Sequence, residues 1–251
     1  MNLNFPDTRQ QVLAERLADG RQIIAQDVAV EFDVSLDTIR RDILALEADG
    51  KAQRVRGGAV PIAAPSSPLH SRLATQQPVN TALIDAAIAC IADAPTVLFD
   101  GGTTTLAIAA RLPIIPGRLV VTPSPWIAVA CQERSIPVFL LGGTLSASGG
   151  IATGDVTHAK IATLSADIAV LGACGLDCDF GLSSDDHAEA LVKAAMATAA
   201  SRTLVVTDAA KIGRRARHHT LALDQIDDIV TDALPEMALP LSRAGAHVIT
   251  A

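Results

Sequence analysis

A cluster of cations and hydroxyls near the N-terminus has the residue types that recognition of double-stranded DNA requires. Thr38 and Arg41 are three residues apart, so they share one face if this segment is helical. Hydroxyl and guanidinium groups on such a face donate hydrogen bonds to base edges and phosphates. The alternative is an ordinary three-helix bundle with a solvated arginine pair. The expected DNA contacts are Ser35, Thr38, Arg40, Arg41, Lys51, Arg54 and Arg56.

An amphipathic helix is predicted to carry the first of these side chains. Ser35 has a short hydroxyl side chain and is expected to cap a helix that begins at Leu36 or Asp37. Gly50 is expected to end this helix. Its apolar face consists of residues at helical spacing, namely Ile39, Ile43 and Leu46. We therefore expect the helix to pack on a small core while its polar face stays exposed.

The flanking segments complete a winged helix-turn-helix domain over residues 1–60. Helices are predicted over residues 8–18, ending at Gly20, and over Gln26–Phe32. Residues 51–58 alternate cations with small or apolar residues and end in a double glycine. This pattern predicts a short hairpin wing that lies along the phosphate backbone.

A second polar cluster follows an apolar strand in the middle of the chain. Residues 100–105 read Asp-Gly-Gly-Thr-Thr-Thr and lead into a predicted helix. Glycines let the backbone approach an anion, and hydroxyl and N–H groups donate to it, so the run is typical of a phosphate cradle. A tight strand–helix turn would use the same residues. Lys211 follows another strand and would add a positive charge, but it also suits a surface lysine beside an N-cap Asp208.

Alternating strands and helices are predicted to bring these polar groups together. The predicted strands are apolar and comprise Thr96–Phe99, Leu119–Thr122, Val138–Leu141, Ile168–Leu171, Leu204–Thr207 and Asp228–Thr231. The predicted helices comprise residues 80–92, Thr104–Leu112, Trp126–Gln132, Ala159–Leu164 and Glu189–Ala200. This pattern favours an α/β domain over residues 79–251, with a mostly parallel sheet and helices on both faces. The carboxyl ends of its strands would form one functional edge.

The charge balance favours a regulator that reads a specific DNA site. The chain of 251 residues has a net charge of −7. Residues 1–60 contain eight Lys and Arg against ten Asp and Glu, which gives this segment a net charge of −2. Its cations are clustered and are opposed by Asp42, Glu47 and Asp49. Because one such domain offers few phosphate contacts, we expect a homo-oligomer, either a dimer or a tetramer.

Composition argues against several other classes of protein. No apolar run reaches the length of a membrane span and the N-terminus lacks a signal-peptide pattern, so we expect a cytoplasmic chain without a membrane partner. Three prolines and two serines in residues 61–68 predict a linker that continues to residue 78. A metal site of Cys174, Cys178 and His187 lacks a CxxC pair. We predict no metal, no cofactor and free thiols at Cys90, Cys131, Cys174 and Cys178.

The two halves together resemble the DeoR family of bacterial regulators of sugar metabolism. In the N-terminal half the resemblance lies in Val34-Ser35, residues 38–42, Leu46, Gly50 and residues 54–59. In the C-terminal half it lies in LFDGGTTT (98–105), VVT (120–122), LLGG (140–143), GLD (175–177), EALVKAAM (189–196) and TDAAKIG (207–213). The resemblance implies a C-terminal sensor domain similar in fold to ribose-5-phosphate isomerase and CoA transferases.

The resemblance also implies a function, a repressor of a carbohydrate catabolic operon that a phosphorylated sugar or related metabolite releases from operator DNA. The expected effector-binding residues are Asp100, Gly101, Gly102, Thr103, Thr104, Thr105, Thr122, Gly143, Cys174, Asp177, Lys193, Asp208 and Lys211. The sequence departs from the family at Asn80, Pro123 and Cys174, where lysine, asparagine and aspartate are usual. It also departs at Arg56, where histidine is usual.

Two other interpretations stay open from the residues alone. An isomerase-like enzyme with an appended DNA-binding domain would draw its acids and bases from Asp100, Asp177, Glu189 and Asp208. In the third interpretation the second domain serves only to oligomerise the protein. No close spacing pairs the carboxylates, and Cys174 replaces one that an isomerase would need. We therefore predict a regulator without enzymatic activity.

Overall fold

The computed structural model describes residues 3, 5–19, 21–55, 57–61, 67–75 and 79–251. The expected DNA contact Arg56, the expected helix end Gly20 and parts of the predicted linker lie outside the described residues. The described elements form two groups along the chain, a small helical group followed by a larger α/β group.

Three helices and a three-stranded sheet form the N-terminal domain. The helices are α1 (Pro6–Ala18), α2 (Ala25–Glu31) and α3 (Leu36–Ala48). The strands are β1 (Ile23–Ile24), β2 (Gln53–Val55) and β3 (Gly58–Val60). They pair antiparallel in the order β1-β3-β2. This is the predicted winged helix-turn-helix, in which β2 and β3 form the wing.

The predicted cap and core of α3 are confirmed. The Ser35 hydroxyl accepts a hydrogen bond from the Thr38 N–H at 3.1 Å, so the helix begins at Leu36. The apolar side chains predicted to face the core are all buried, namely Ile39, Ile43 and Leu46. Gly50 follows the helix with a φ of 66°, a left-handed conformation that favours glycine. Local sequence therefore determines both ends and the inward face of this helix.

A buried ion pair joins α1 to α3. The Arg9 Nε lies 2.7 Å from the Asp42 Oδ2, and the two side chains are 5% and 3% exposed. Gln10 donates a second hydrogen bond to Asp42, from its Nε2 to the Oδ1 at 3.0 Å. The sequence analysis places Asp42 among the acidic groups that oppose the DNA-facing cations, which is wrong. Its charge is neutralised inside the domain, where it orients α3.

The second domain contains most of the secondary structure. Its strands are β4 (Thr96–Phe99), β5 (Leu119–Thr122), β6 (Val138–Leu140), β7 (Thr144–Leu145), β8 (Ala152–Thr153), β9 (Ile168–Gly172), β10 (Gly175–Asp177), β11 (Gly181–Ser184), β12 (Thr203–Thr207), β13 (His218–Leu221), β14 (Asp228–Thr231) and β15 (Val248–Thr250). Its helices are α4 (Leu69–Ala74), α5 (Thr81–Ile91), α6 (Thr103–Ala109), α7 (Pro125–Glu133), α8 (Asp155–Ile161), α9 (His187–Thr198) and α10 (Pro235–Arg243).

Seven parallel strands form the central sheet, in the order β15-β14-β12-β9-β4-β5-β6. Successive residues of each strand alternate between two hydrophobic cores, so Val97 and Phe99 lie in one core and Leu98 in the other. Helices α5, α6 and α7 pack in the first core, and α8, α9 and α10 pack in the second. The predicted α/β architecture with helices on both faces is confirmed.

The elements missing from the predictions are short or polar. Strands β10, β11 and β13 form a separate antiparallel sheet whose partners lie far apart in sequence. Helix α4 lies within the predicted linker, and α10 has Pro240 in its interior. Helix α8 begins at Asp155, four residues before its predicted start, because its first turn lacks the apolar pattern and buries the polar Thr157. None of the described helices is long and apolar enough to cross a membrane.

Removing the Asp42 charge should destabilise the N-terminal domain. Asp42→Asn leaves the Arg9 guanidinium buried without a counter-charge, so we expect a loss of about 3–5 kcal/mol. Native-state hydrogen exchange of the α3 amides measures this loss. Asp49→Asn is the matched control, because it breaks an exposed ion pair with Lys51 and should cost less than about 1 kcal/mol. Equal losses in the two variants would contradict the role given to Asp42.

Candidate functional site

The exposed face of α3 carries three of the predicted DNA contacts. We call Thr38, Arg40 and Arg41 the recognition face. The Arg40 guanidinium pairs with Asp37 at 3.0 Å, and both side chains are exposed. Arg41 is exposed and makes no ion pair with a described residue. The Thr38 hydroxyl lies 2.8 Å from the Ser35 hydroxyl. Arg41 is therefore the side chain of this face that needs no rearrangement to contact DNA.

The wing presents two more cations beside the recognition face. Lys51 pairs with Asp49 at 3.1 Å, and the Arg54 Nε lies 3.5 Å from the Glu47 Oε2. All four side chains are at least 41% exposed, so these pairs contribute little to stability. Phosphates can therefore replace the carboxylates at low cost. The last predicted wing contact, Arg56, lies outside the described residues.

A cleft opens where the carboxyl ends of β4, β9 and β12 meet. We call it the sensor cleft, and it contains nine of the predicted effector residues. Its lining residues are Arg72, Asp100, Gly101, Gly102, Thr103, Thr104, Thr105, Ser148, Gly149, Gly172, Ala173, Cys174, Asp185, Glu189, Lys193, Val206 and Lys211. The position at the carboxyl edge of a parallel sheet is the one predicted from the strand pattern.

A buried ion pair forms the floor of the sensor cleft. The Lys193 Nζ lies 3.0 Å from the Asp100 Oδ2, and the two side chains are 6% and 1% exposed. Lys193 also donates to the Gly172 carbonyl at 2.7 Å, and the Gly172 N–H donates to the Asp100 Oδ2 at 3.0 Å. Burial lowers the pKa of Lys193, but Asp100, Cys174 and Glu189 together more than offset this, so its pKa lies above the ordinary value. Lys193 thus stays charged at neutral pH.

Two carboxylate oxygens of the sensor cleft have no partner. The Asp100 Oδ1 is buried and accepts no hydrogen bond from a described residue. The Glu189 Oε1 accepts from the Ser146 hydroxyl and from the Gly149 N–H, but no hydrogen bond from a described residue reaches its Oε2. A buried acceptor without a partner is costly, so the Asp100 Oδ1 suits a hydroxyl group of a ligand, and the Glu189 Oε2 is a second acceptor in the same cleft.

The turn at residues 101–105 forms one wall of the sensor cleft with donors that are free to bind. Gly102 has a φ of 124°, and a Cβ on Gly101 would come within 2.3 Å of the Ile151 side chain, so both positions require glycine. No side chain caps α6 at this turn. The hydroxyls of Thr103 and Thr104 make no hydrogen bond to a described residue, whereas Thr105 donates to the Gly102 carbonyl at 3.2 Å.

Two cations reach the rim of the sensor cleft. The Lys211 Nζ pairs with the Asp208 Oδ2 at 2.8 Å, and both side chains are partly exposed. Lys211 therefore pairs with Asp208, as expected for a surface lysine beside that aspartate, and it also lines the cleft. Arg72 comes from α4 and has only carbonyl partners, those of Ser67 and Ser148. Lys211 and Arg72 thus bring two positive charges to the rim, and a further carboxylate, that of Asp185, also lines the cleft.

Four predicted effector residues do not line the sensor cleft. Thr122 is fully buried and donates from its hydroxyl to the Phe99 carbonyl at 2.7 Å, which ties β5 to β4. At Gly143 a Cβ would come within 2.2 Å of the Thr157 hydroxyl, so this glycine allows close packing of α8. Asp208 lies outside the lining as the partner of Lys211. These three residues position elements around the cleft.

Asp177, the fourth of these residues, belongs to another site on β10. Its Oδ1 lies 2.7 Å from the Arg215 guanidinium and also accepts from the N–H groups of Asp179 and Phe180. In the described part of the chain, the single close group of three candidate metal ligands is Asp177, Cys178 and Asp179. Because the Arg215 guanidinium already neutralises the buried Asp177 carboxylate, this carboxylate needs no metal ion to balance its charge.

Sequence reasoning missed several cleft residues because their partners are distant. Arg72 lies in the predicted linker, and the Ser148-Gly149 loop follows a strand that was not predicted. Glu189 was considered only as an acid for the enzyme interpretation. Its spacing of four residues from Lys193 on α9 is the sequence signal that places both on one helix face.

Asn80, where the family usually has lysine, has a structural role in this chain. Its side chain caps α5 by accepting a hydrogen bond from the Ala82 N–H at 3.0 Å.

Comparison with known families matches both halves of the chain. The model of the DeoR-like helix-turn-helix domain matches residues 9–64, and that of the DeoR C-terminal sensor domain matches residues 80–233. The chain belongs to the DeoR family. Both segments contain the motifs on which the resemblance was based.

This DeoR-family protein has named relatives over nearly its full length. The transcriptional regulator GlpR of Haloferax volcanii is 31% identical over 91% of this chain and 90% of its own. The glycerol-3-phosphate regulon repressor of Escherichia coli is 28% identical over 96% of each chain. A solved D-ribose-5-phosphate isomerase with phospho-erythronic acid aligns with 51% of each chain at 19% identity and a TM-score of 0.39. The named relatives are regulators, which favours the regulator over the enzyme interpretation.

Breaking the floor of the sensor cleft should destabilise the sheet domain. Lys193→Met leaves the buried Asp100 charge unpaired, so we expect a loss of about 3–5 kcal/mol in urea unfolding. Trp126 is the single tryptophan and lies in α7, so its fluorescence reports this domain alone. Adding Asp100→Asn should recover part of the loss. As a control, Lys211→Met should cost less than about 1 kcal/mol. Additive losses in the double variant would contradict a coupled pair.

Proposed function

We propose that this DeoR-family protein is a transcriptional repressor of a carbohydrate catabolic operon. It leaves its operator when a phosphorylated sugar or a related metabolite binds the sensor cleft. The observation that carries the effector class is the division of the cleft into two sides. Cations and free donors lie on its rim, and the unpaired carboxylate oxygens of Asp100 and Glu189 lie below them.

The rim side of the cleft suits a phosphate. Backbone N–H groups of the first turn of α6 lack intrahelical acceptors, and the hydroxyls of Thr103 and Thr104 add donors beside them. Lys211 adds a positive charge at the rim, where it pairs with the partly exposed Asp208. A phosphate bound here would gain charge-assisted hydrogen bonds, which are stronger than those between neutral groups.

The opposite side of the cleft suits a polyol. The Asp100 Oδ1 and the Glu189 Oε2 accept no hydrogen bond from a described residue. Each can therefore accept a hydrogen bond from a hydroxyl group of the ligand. Asp100 is fixed by Lys193 and Gly172, and Glu189 by Ser146 and Gly149, so neither carboxylate needs to reorganise. Asp177 and Asp208, which are also among the expected effector-binding residues, do not line the cleft.

The recognition face and the wing together suit operator DNA. The winged helix-turn-helix offers four cations among its described candidate contacts, namely Arg40, Arg41, Lys51 and Arg54, and residues 1–60 have a net charge of −2. A single copy would hold DNA weakly, since affinity grows with the number of neutralised phosphates. We therefore infer a homo-oligomer that binds adjacent half-sites at a spacing of whole helical turns.

Arg41→Ala should weaken binding to the operator without unfolding the domain. Arg41 is exposed and unpaired among the described residues, so its loss removes a contact to DNA and none to the protein. We expect a loss of about 1–3 kcal/mol, measured by fluorescence anisotropy on the promoter DNA of the neighbouring genes. Arg54→Ala should weaken binding to all sequences and lower the salt slope by about 1. Arg111→Ala, which breaks an exposed pair with Asp85, is the control. Unchanged affinity in Arg41→Ala would contradict the placement.

Thr104→Val and Lys211→Ala should keep DNA binding and lose release by the effector. Both residues line the sensor cleft, which belongs to a different domain from the recognition face. The experiment titrates phosphorylated sugars and polyols, including glycerol 3-phosphate, into the protein–operator complex, beside their unphosphorylated forms. Each variant should need at least about tenfold more compound for half-release, as expected for a lost charge-assisted hydrogen bond.

Lys160→Ala is the matched control for Lys211→Ala, because Lys160 is an exposed lysine of the same domain on α8. It should respond like the wild type. The proposal is wrong if the unphosphorylated compounds release DNA as well as the phosphorylated ones. It is also wrong if both cleft variants respond normally.

A further inference from the structure

Helix α4 brings an arginine from the predicted linker into the sensor cleft. It lies at residues 69–74, between the segments that the two family models match, 9–64 and 80–233. Leu69 of this helix is 1% exposed and packs against Gly150, and its N–H donates to the Ala147 carbonyl at 3.3 Å. Helix α4, which lies in the segment between the two matched domains, is therefore docked at the cleft.

Arg72 is the cation of the cleft that lacks a counter-charge. Lys193 pairs with Asp100, and Lys211 pairs with Asp208. Arg72 makes no ion pair with a described residue, and its Nε and one terminal nitrogen donate to the carbonyls of Ser67 and Ser148, each at 3.0 Å. A half-buried guanidinium without a carboxylate partner favours an anion at the remaining donors.

The loop at residues 146–150 links Arg72 to the floor of the cleft. Arg72 holds it from one side through the Ser148 carbonyl. Glu189 holds it from the other side, because its Oε1 accepts from the Gly149 N–H at 2.6 Å and from the Ser146 hydroxyl. Glu189 and Lys193 lie one turn apart on α9. A ligand between these groups would contact α4, the loop and the sheet at once.

We propose that Arg72 binds the anionic group of the effector, so that the connecting segment between the two domains forms part of the sensor cleft. The inference rests on the proposed function and adds a route by which the bound effector acts on the DNA-binding domain. An anion held by both Arg72 and the opposite wall would fasten α4 to the sheet domain. Because α4 follows the DNA-binding domain in the chain, occupancy of the cleft then restricts where that domain can lie.

The first test measures anion binding and the docking of α4 in the full chain, with inorganic phosphate as the probe. We expect phosphate to slow hydrogen exchange of the α4 amides in the wild type. Arg72→Gln should bind phosphate at least about tenfold more weakly and lose this protection. His70→Ala is the control, because His70 is exposed on the same helix and should leave both readouts unchanged.

A purely structural role for Arg72 predicts a different pattern. Leu69→Ala weakens the docking of α4 and keeps the guanidinium, so exchange should be faster without phosphate but should still slow when phosphate is added. Arg72→Lys keeps the charge and should bind phosphate with intermediate affinity. If Arg72 only fastens the helix, Leu69→Ala and Arg72→Gln will behave alike, and the proposal is overturned.

The second test separates this inference from the proposed function. Phosphorylated compounds are titrated into the operator complexes of the wild type and of Arg72→Gln, after Trp126 fluorescence has verified the fold. Loss of release in Arg72→Gln alone supports the inference. Equal release of both proteins overturns the inference and leaves the proposed function intact. No release of the wild type by any phosphorylated compound overturns both.

Discussion

The buried pair of Asp100 and Lys193 is the interaction on which the rest of the sheet domain depends. It joins the end of β4 to α9, and through Gly172 it also fixes the end of β9. Each charge would be costly alone in this position, and together they offset the cost of desolvation. Because α9 is fixed, Glu189 stands where it can hold the loop at residues 146–150. The pair thus fixes the floor of the cleft and the helix that holds the loop on which α4 docks.

The same pair explains why this cleft suits binding without turnover. An acid or base must reach the proton that it exchanges with its substrate. Lys193 pairs with Asp100 and keeps one of its oxygens occupied. Glu189 likewise uses one oxygen to hold the protein together. Carboxylates fixed in this way recognise hydroxyl groups and stay unchanged, as a sensor requires.

Local patterns predicted much of the fold. Apolar runs located six of the seven central strands, and Ser35 with the Ile39 spacing located α3. The same patterns misassigned Asp42, because its partner Arg9 lies on another helix. They could not show that Arg215 forms an ion pair with Asp177 or that Arg72 lines the cleft. These contacts join residues far apart in sequence, and neither spacing nor composition carries information about such pairs.

The order of the strands in the sheet also sets the order in which the protein can assemble. The N-terminal domain is built from contacts within its first 60 residues, so it can fold while the chain is still being made. The sheet cannot be completed then, because its edge strand β15 ends at residue 250. Long-range parallel pairing is slow as well. A newly made chain therefore acquires its winged helix-turn-helix before the sheet that holds the sensor cleft, and for a short time the first domain is folded without the second.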